Sequence, residues 1–168
     1  MANYYWATMW KNVHETPVSA TVKVTWYRTT HDIIPTRKRL HKIRLTPTDP
    51  CDHCNRLDSL QHRLTECGGG PLMWEGTRKL MALMLRIDWK RLPCEWLLRP
   101  TLTLWPLQKH RAVLWVLATY VTCRLQRHRE LTLNDFHDFL RRARWKLENR
   151  NNRAKLVGNY LSVIPEDV

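Results

Sequence analysis

Residues 107–129 read "LQKHRAVLWVLATYVTCRLQRHR". The apolar part, "AVLWVLATYVTC" (112–123), is bounded by Arg111 and Arg124. A bilayer-spanning helix needs about 20 apolar residues, so this run is too short to cross one. It is instead the longest and most apolar helix candidate, and fits a helix buried inside the protein.

The rest of the 168 residues agrees with a helical protein. Nine tryptophans and a 43% apolar fraction supply enough material for a packed core. Only five glycines are present, three of them consecutive at 68–70. The frequent turn signals of an all-β chain are therefore missing. The expected class is mostly α, with little or no β-sheet, as one or two small units: 1–75 and 76–168.

Prolines mark the boundaries between helix candidates. "PVSATVKVTWYRTTHDII" (17–34) is a helix with Pro17 in its first turn. Its β-branched residues work against it. "PTRKRLHKIRL" (35–45) is a short basic helix with Pro35 at or near its first position, and Leu40 and Ile43 make an i, i+3 apolar contact. "TPTDP" (46–50) cannot be helical. Asp58 and Gln61 resemble a capping box for a helix over 59–66, buried through Leu60 and Leu64 and ended by the glycines. A helix over 73–87 has an apolar face including Leu80, Leu83, Met84 and Ile87. Over 132–150, Thr132 and Asp135 form a capping-box pattern. There Phe136, Phe139, Leu140, Ala143 and Leu147 make one face, with Arg141, Arg142, Arg144 and Lys146 opposite. The end, 151–168, is polar and then apolar in "YLSVI".

The formal net charge is +13. Segment 28–44 carries Arg28, Arg37, Lys38, Arg39, Lys42 and Arg44 against Asp32 alone, and 123–155 is the second basic concentration. Such a surface attracts polyanions, nucleic acid above all. The alternative is a charged face that serves solubility. The N-terminal "MANYYWATMWKNVHE" lacks the basic and apolar regions of a secretory signal. With no such signal and an odd number of cysteines, an intracellular, reducing location is expected. "RKRLHKIR" resembles a nuclear import signal.

Three of five cysteines lie in "CDHCNRLDSLQHRLTEC" (51–67). Cys51, Cys54, His62 and Cys67 give the spacing C-x2-C-x7-H-x4-C. A structural zinc site takes four such ligands in a tetrahedron. On an ideal helix His62 and Cys67 would point about 140° apart. Cys67 is therefore expected beyond the helix end, where the glycines allow the chain to unwind. His53 is an alternative to His62, though it would crowd the cysteine turn. Four protein ligands leave no position for water, and no Glu is placed at the cluster as in the H-x-E of the zinc deaminases. The zinc is expected to be structural and to contribute folding energy. Cys94 and Cys123 have no partners nearby and are expected as buried small residues.

Around this set runs a longer pattern: "YWATMWKNVH" (5–14), "TWYRTTHDIIPTRKRL" (25–40), a proline-containing linker, C-x2-C, "SLQHRLTEC" (59–67) and Trp74. It resembles the zinc-binding region that lies C-terminal to the reverse transcriptase domain in non-LTR retrotransposon polyproteins. The resemblance covers about residues 6–75 and is sharpest at Pro-Thr-x-x-Arg-Leu (35–40). It implies a CCHC zinc module that binds element RNA or target DNA and assists target-primed reverse transcription. The middle gap of seven residues departs from the four of retroviral zinc knuckles, so their base-stacking platform does not carry over. The adjacent aspartates of the polymerase are absent, and the fifteen acids form no cluster for two-metal chemistry. The chain is expected to be non-enzymatic and a fragment of a polyprotein or a truncated copy.

Arg37, Lys38, Arg39, Lys42 and Arg44, extended by Arg56 and Arg63, are the expected nucleic-acid contacts. Trp26 and Tyr27 are read either as core residues or as base-stacking residues. The competing expectation is a helical structural or protein-interaction domain pinned by zinc, or an element relic without function. No membrane partner is expected.

Overall fold

The computed structural model describes residues 2–88, 90, 92, 94–100, 107–127 and 131–148. Its helices are α1 (Ala2–Glu15), α2 (Ala20–Thr30), α3 (Arg37–Lys42), α4 (Gly70–Leu85), α5 (Glu95–Leu98), α6 (Leu107–Arg127) and α7 (Leu133–Glu148). A π-helical turn, His62–Glu66, lies between α3 and α4. The protein is mostly helical, with no sheet among the described residues; an isolated antiparallel bridge joins Pro50 and Leu57.

Helix α6 is the axis. Every residue from Ala112 to Arg124 is buried, as an all-round apolar helix requires. Helices α1, α2, α4, α5 and α7 and the π-turn all pack against it. One apolar cluster runs from Val13 and Trp26 through Leu60, Leu64, Met73 and Met81 to Phe136 and Leu140. The boundary anticipated between 75 and 76 falls inside α4. None of the described helices is long and apolar enough to cross a membrane.

The local rules explain most helix ends, and several differ from expectation. Helix α1 was not anticipated; it buries Met9 and Val13 at i, i+4 and stops just before Pro17. Pro17 does not open α2. Ser19 caps that helix, accepting from the Val22 N–H at 3.4 Å. The β-branched residues of α2 are accommodated because Thr25 and Thr29 bond back to the carbonyls of Thr21 and Thr25. Trp26 anchors the helix in the core and donates from Nε1 to Leu97 O at 3.2 Å.

In α3, Thr36 is the cap and Pro35 precedes it. The Leu40–Ile43 pair does not seal a core: Ile43 is exposed, and no residue of α3 is buried. In α4, Leu80 and Met84 face inward as expected, whereas Leu83 is exposed; Ile87, also exposed, lies beyond the helix end at Arg86. The inward stripe follows Met73, Trp74, Thr77, Leu80, Met81 and Met84. The Thr132–Asp135 capping box is present. The Thr132 N–H donates to Asp135 Oδ2 at 2.9 Å, and the Asp135 N–H donates to Thr132 Oγ1 at 3.2 Å. The anticipated "YLSVI" segment and the basic positions 149–155 lie outside the described residues.

Candidate metal centre

The first two cysteines sit in a loop with a closed neck. Asp58 N–H donates to Asp49 O (3.0 Å) and Cys51 N–H to Arg56 O (2.6 Å). Inside the neck Asn55 N–H donates to Cys51 O at 2.9 Å, and Asn55 takes a positive φ of 58°. Asparagine tolerates that conformation better than most residues. The loop thereby presents Cys51 and Cys54 to one side.

The second pair comes from the π-turn. The helix starts at Leu60 and is capped by Ser59, whose Oγ accepts from His62 N–H at 3.1 Å. Asp58 is not its cap, contrary to expectation. From His62 the helix widens, and the Cys67 N–H donates to His62 O at 2.9 Å. This i→i+5 bond spans the interval that a regular helix would have splayed by about 140°. Cys67 then leaves the helix in extended conformation, φ −83° and ψ 138°, as its expected place beyond the helix end requires. Gly68 follows at φ 56°, which a residue without Cβ takes freely.

The donor atoms of Cys51, Cys54, His62 and Cys67 lie within 4.8 Å of one another. Cys51 Sγ is 3.7 Å from Cys67 Sγ, and Cys54 Sγ is 3.2 Å from His62 Nε2. A disulfide would need about 2 Å. Zn–S bonds of about 2.3 Å in a tetrahedron place neighbouring sulfurs about 3.8 Å apart. The four donors lie close enough to hold one metal ion, and three thiols with one imidazole are compatible with zinc. His53 is exposed and outside the group. Cys51, His62 and Cys67 are buried, and Cys54 forms the outer edge. Four protein donors fill a tetrahedron, so the arrangement suits holding structure and not activating water.

The thiols influence one another. Burial raises the Cys51 pKa, but the backbone of His53 and Cys54 and the side chains of His62 and Cys67 outweigh it, leaving Cys51 at about 6. Cys67 is pushed up to about 12, by burial first and then by Cys51 and Cys54. A dication would remove the like-charge penalty between such thiolates.

Residues around the donors were not anticipated in their roles. His62 Nδ1 faces Glu66 Oε2 at 3.4 Å, the usual way a carboxylate orients a ligating imidazole. Arg124 of α6 is fully buried. Its Nε reaches Leu64 O (3.2 Å), and its Nη2 reaches Arg63 O (2.9 Å) and Cys67 O (2.7 Å). Tyr120 OH also donates to Leu64 O, at 2.6 Å. These donors satisfy carbonyls that the end of the helix leaves open. A Cβ on Gly70 would lie 2.9 Å from Arg124 Nη2 and 3.0 Å from the Thr65 carbonyl carbon, so glycine is needed at that approach. The sequence signal for Arg124 is an arginine directly abutting the apolar run of α6.

The expected nucleic-acid residues separate into groups. Arg63 is a structural partner: it pairs with buried Asp58 at 2.5 Å. Asp58 also accepts from the Arg37 N–H at 2.7 Å, and its carbonyl accepts from the Lys38 N–H at 3.2 Å. Asp58 therefore ties α3 to the metal loop. Arg37 pairs with exposed Asp52 at 2.6 Å. Arg39 donates to Asp32 O. Lys38, Lys42, Arg44 and Arg56 are exposed. On α7, Arg141 pairs with Asp138 and Arg142 donates to Asp138 O at 3.3 Å. Trp26 is a core residue, and Tyr27 is exposed.

No family model matches the chain, and neither does any curated protein or solved structure.

Proposed function

We propose that the chain is a zinc-stabilised nucleic-acid-binding module, similar to the zinc-binding region that follows the reverse transcriptase domain in non-LTR retrotransposons. Zinc has a structural role here, and the chain itself carries no catalysis. The observation that carries the reading is the tie through Asp58. It fixes the basic helix α3 to the loop that the metal would close. Lys38, Lys42, Arg44 and Arg56 are exposed beside this tie, on a chain of net charge +13. Phosphate is the natural counterpart of such a surface. The residue order from Trp6 to Trp74 supports the retrotransposon assignment. On that assignment the partners are element RNA or target DNA and the remainder of a polyprotein, and the location is nuclear.

Elemental analysis of the purified protein tests the metal: about one zinc per chain is expected. Cys54→Ser and His62→Ala each abolish it, and His53→Ala leaves it. The opposite histidine result overturns the ligand set. The binding reading fails if the zinc-loaded protein has no affinity for single- or double-stranded nucleic acid at low salt.

One observation favours the second reading, a protein-interaction domain. Leu72 and Leu83 on α4 are 71% and 64% exposed, and Trp145 on α7 is 65% exposed. A partner held by such residues would bind with little dependence on salt.

A further inference from the structure

A cleft of about 490 Å³ opens between the C-terminal end of α2, helix α3, the start of the π-turn helix and the end of α5. Its walls include Thr29, Thr30, Lys38, Arg39, Lys42 and Arg99. The acid on its wall is Asp32, whose backbone carbonyl engages Arg39. Among the described residues, no ion pair within 4 Å holds Lys38, Lys42 or Arg99. Arg99 comes from a distant part of the chain and is exposed. Four cations thus converge on one concavity from two separate segments.

Beside the cleft lies a cluster of aromatic rings. Tyr27 stacks on His31 with centroids 4.3 Å apart. Trp10 lies 4.9 Å from each of them, and Trp6 is 5.7 Å from His31. Trp6 and Tyr27 are 47% and 45% exposed, so part of each ring faces solvent. Thr30 links the two features. It lines the cleft, donates to Tyr27 O at 2.9 Å and lies 3.5 Å from His31 Nδ1.

We infer that this cleft binds the backbone of single-stranded nucleic acid, with bases stacking on Tyr27 and Trp6; the inference rests on the nucleic-acid reading above. Cationic grooves flanked by aromatic faces suit single strands, because phosphates follow the charge and every base offers a stacking face. Duplex is read by a convex element entering a groove. The cleft is concave, and its volume is on the scale of one small organic ligand. Arg99 becomes a phosphate contact that spacing and composition did not indicate, and Lys38, Arg39 and Lys42 are the members of the basic helix that share it. Arg44 and Arg56 are not on its wall.

The test uses the full zinc-loaded chain with labelled oligothymidylate, oligouridylate, a duplex of equal length and polyglutamate. Single strands are expected to bind more tightly than duplex. Removing one phosphate contact lowers the slope of log K against log salt by about 0.7 for a single strand. Arg99→Ala should therefore lower it by about 0.7, and Lys38→Ala, Lys42→Ala and Arg99→Ala together by about 2. Tyr27→Ala should weaken binding about tenfold with the slope unchanged. Thermal unfolding of each variant checks that the fold is retained. If strands bind but the slope is insensitive to Arg99→Ala and sensitive to Arg44→Ala and Arg56→Ala, the cleft is wrong and the nucleic-acid reading stands. Tighter binding of duplex has the same meaning. Equal binding of polyglutamate, unaffected by Tyr27→Ala, overturns the site in favour of an acidic protein partner. No binding of any nucleic acid at low salt overturns the underlying reading itself.

Discussion

Asp58 is buried and serves three neighbours at once: the Arg63 guanidinium, the Arg37 N–H and the Lys38 N–H. Burial alone would raise its pKa, but the Arg63 hydrogen bond and the Arg37 N–H hold it below the ordinary carboxylate value. A folded-state pKa below the unfolded one gives stability that is present above about pH 4 and lost as pH falls through the folded value. Asp58→Asn should cost about 2 kcal/mol near neutral pH, since it leaves Arg63 without its partner. Below pH 4 the difference between wild type and variant should shrink. Urea titrations of both proteins across acid pH measure this, and a pH-independent difference would show that the charge is not what matters. Arg124 works through carbonyls. Arg124→Met keeps the apolar stem but strands the acceptors of Arg63 and Cys67, so a loss of about 2–4 kcal/mol is expected. Tyr120→Phe should cost less, because Leu64 O keeps Arg124 Nε. Neither role was legible beforehand. From the sequence Asp58 reads as a local helix cap, since its true partners lie up to 21 residues away. Arg124 reads as the end of an apolar run, because its burial depends on a turn about 60 positions earlier.

At the scale of elements, the π-turn decides whether the metal site exists. The ligand spacing exposed the problem, since His62 and Cys67 cannot share an ion on a regular helix. Half of the solution was legible: Cys67 leaves the helix as expected. The other half, a single widened turn, has no composition signal, because the energy that holds it comes from Tyr120 and Arg124 on another helix. Deleting Thr65 should restore regular helix and leave His62 and Cys67 at i, i+4, still on one face. The expected result is retained zinc with helical circular dichroism almost unchanged, because the π-turn serves to absorb the fifth residue. Loss of zinc would mean that the wide turn itself, and not a shared helix face, sets the site. Local capping, by contrast, was readable at Thr132–Asp135, where both partners lie within one turn. At Pro17 the sequence misleads, since Ser19 is the actual cap; at α3 the cap is Thr36, directly after Pro35.

For the whole molecule, the buried run of α6 carried the fold, and six other elements pack around it as its composition demands. What composition could not show is how unevenly the core is shared. The cluster centred on α6 takes large buried side chains from α4, α5 and α7. Between 36 and 59 the buried residues are Thr36, Cys51 and Asp58, and none of them is a large apolar side chain. A segment with so little apolar burial cannot offset its own ordering cost, which is about 1–2 kcal/mol per residue for the backbone. A metal bound at the cluster would supply the difference, since structural zinc sites contribute on the order of 10 kcal/mol. Chelation should therefore release α3 and the metal loop first. Hydrogen exchange in the presence of a strong chelator should show amides 37–67 losing protection while 112–124 keep theirs. The cleft beside α3 would lose one wall at the same time, so affinity for single strands should fall with zinc content. Cooperative loss of protection along the entire chain would instead show that the centre holds the α6 core together, through Arg124 and Tyr120.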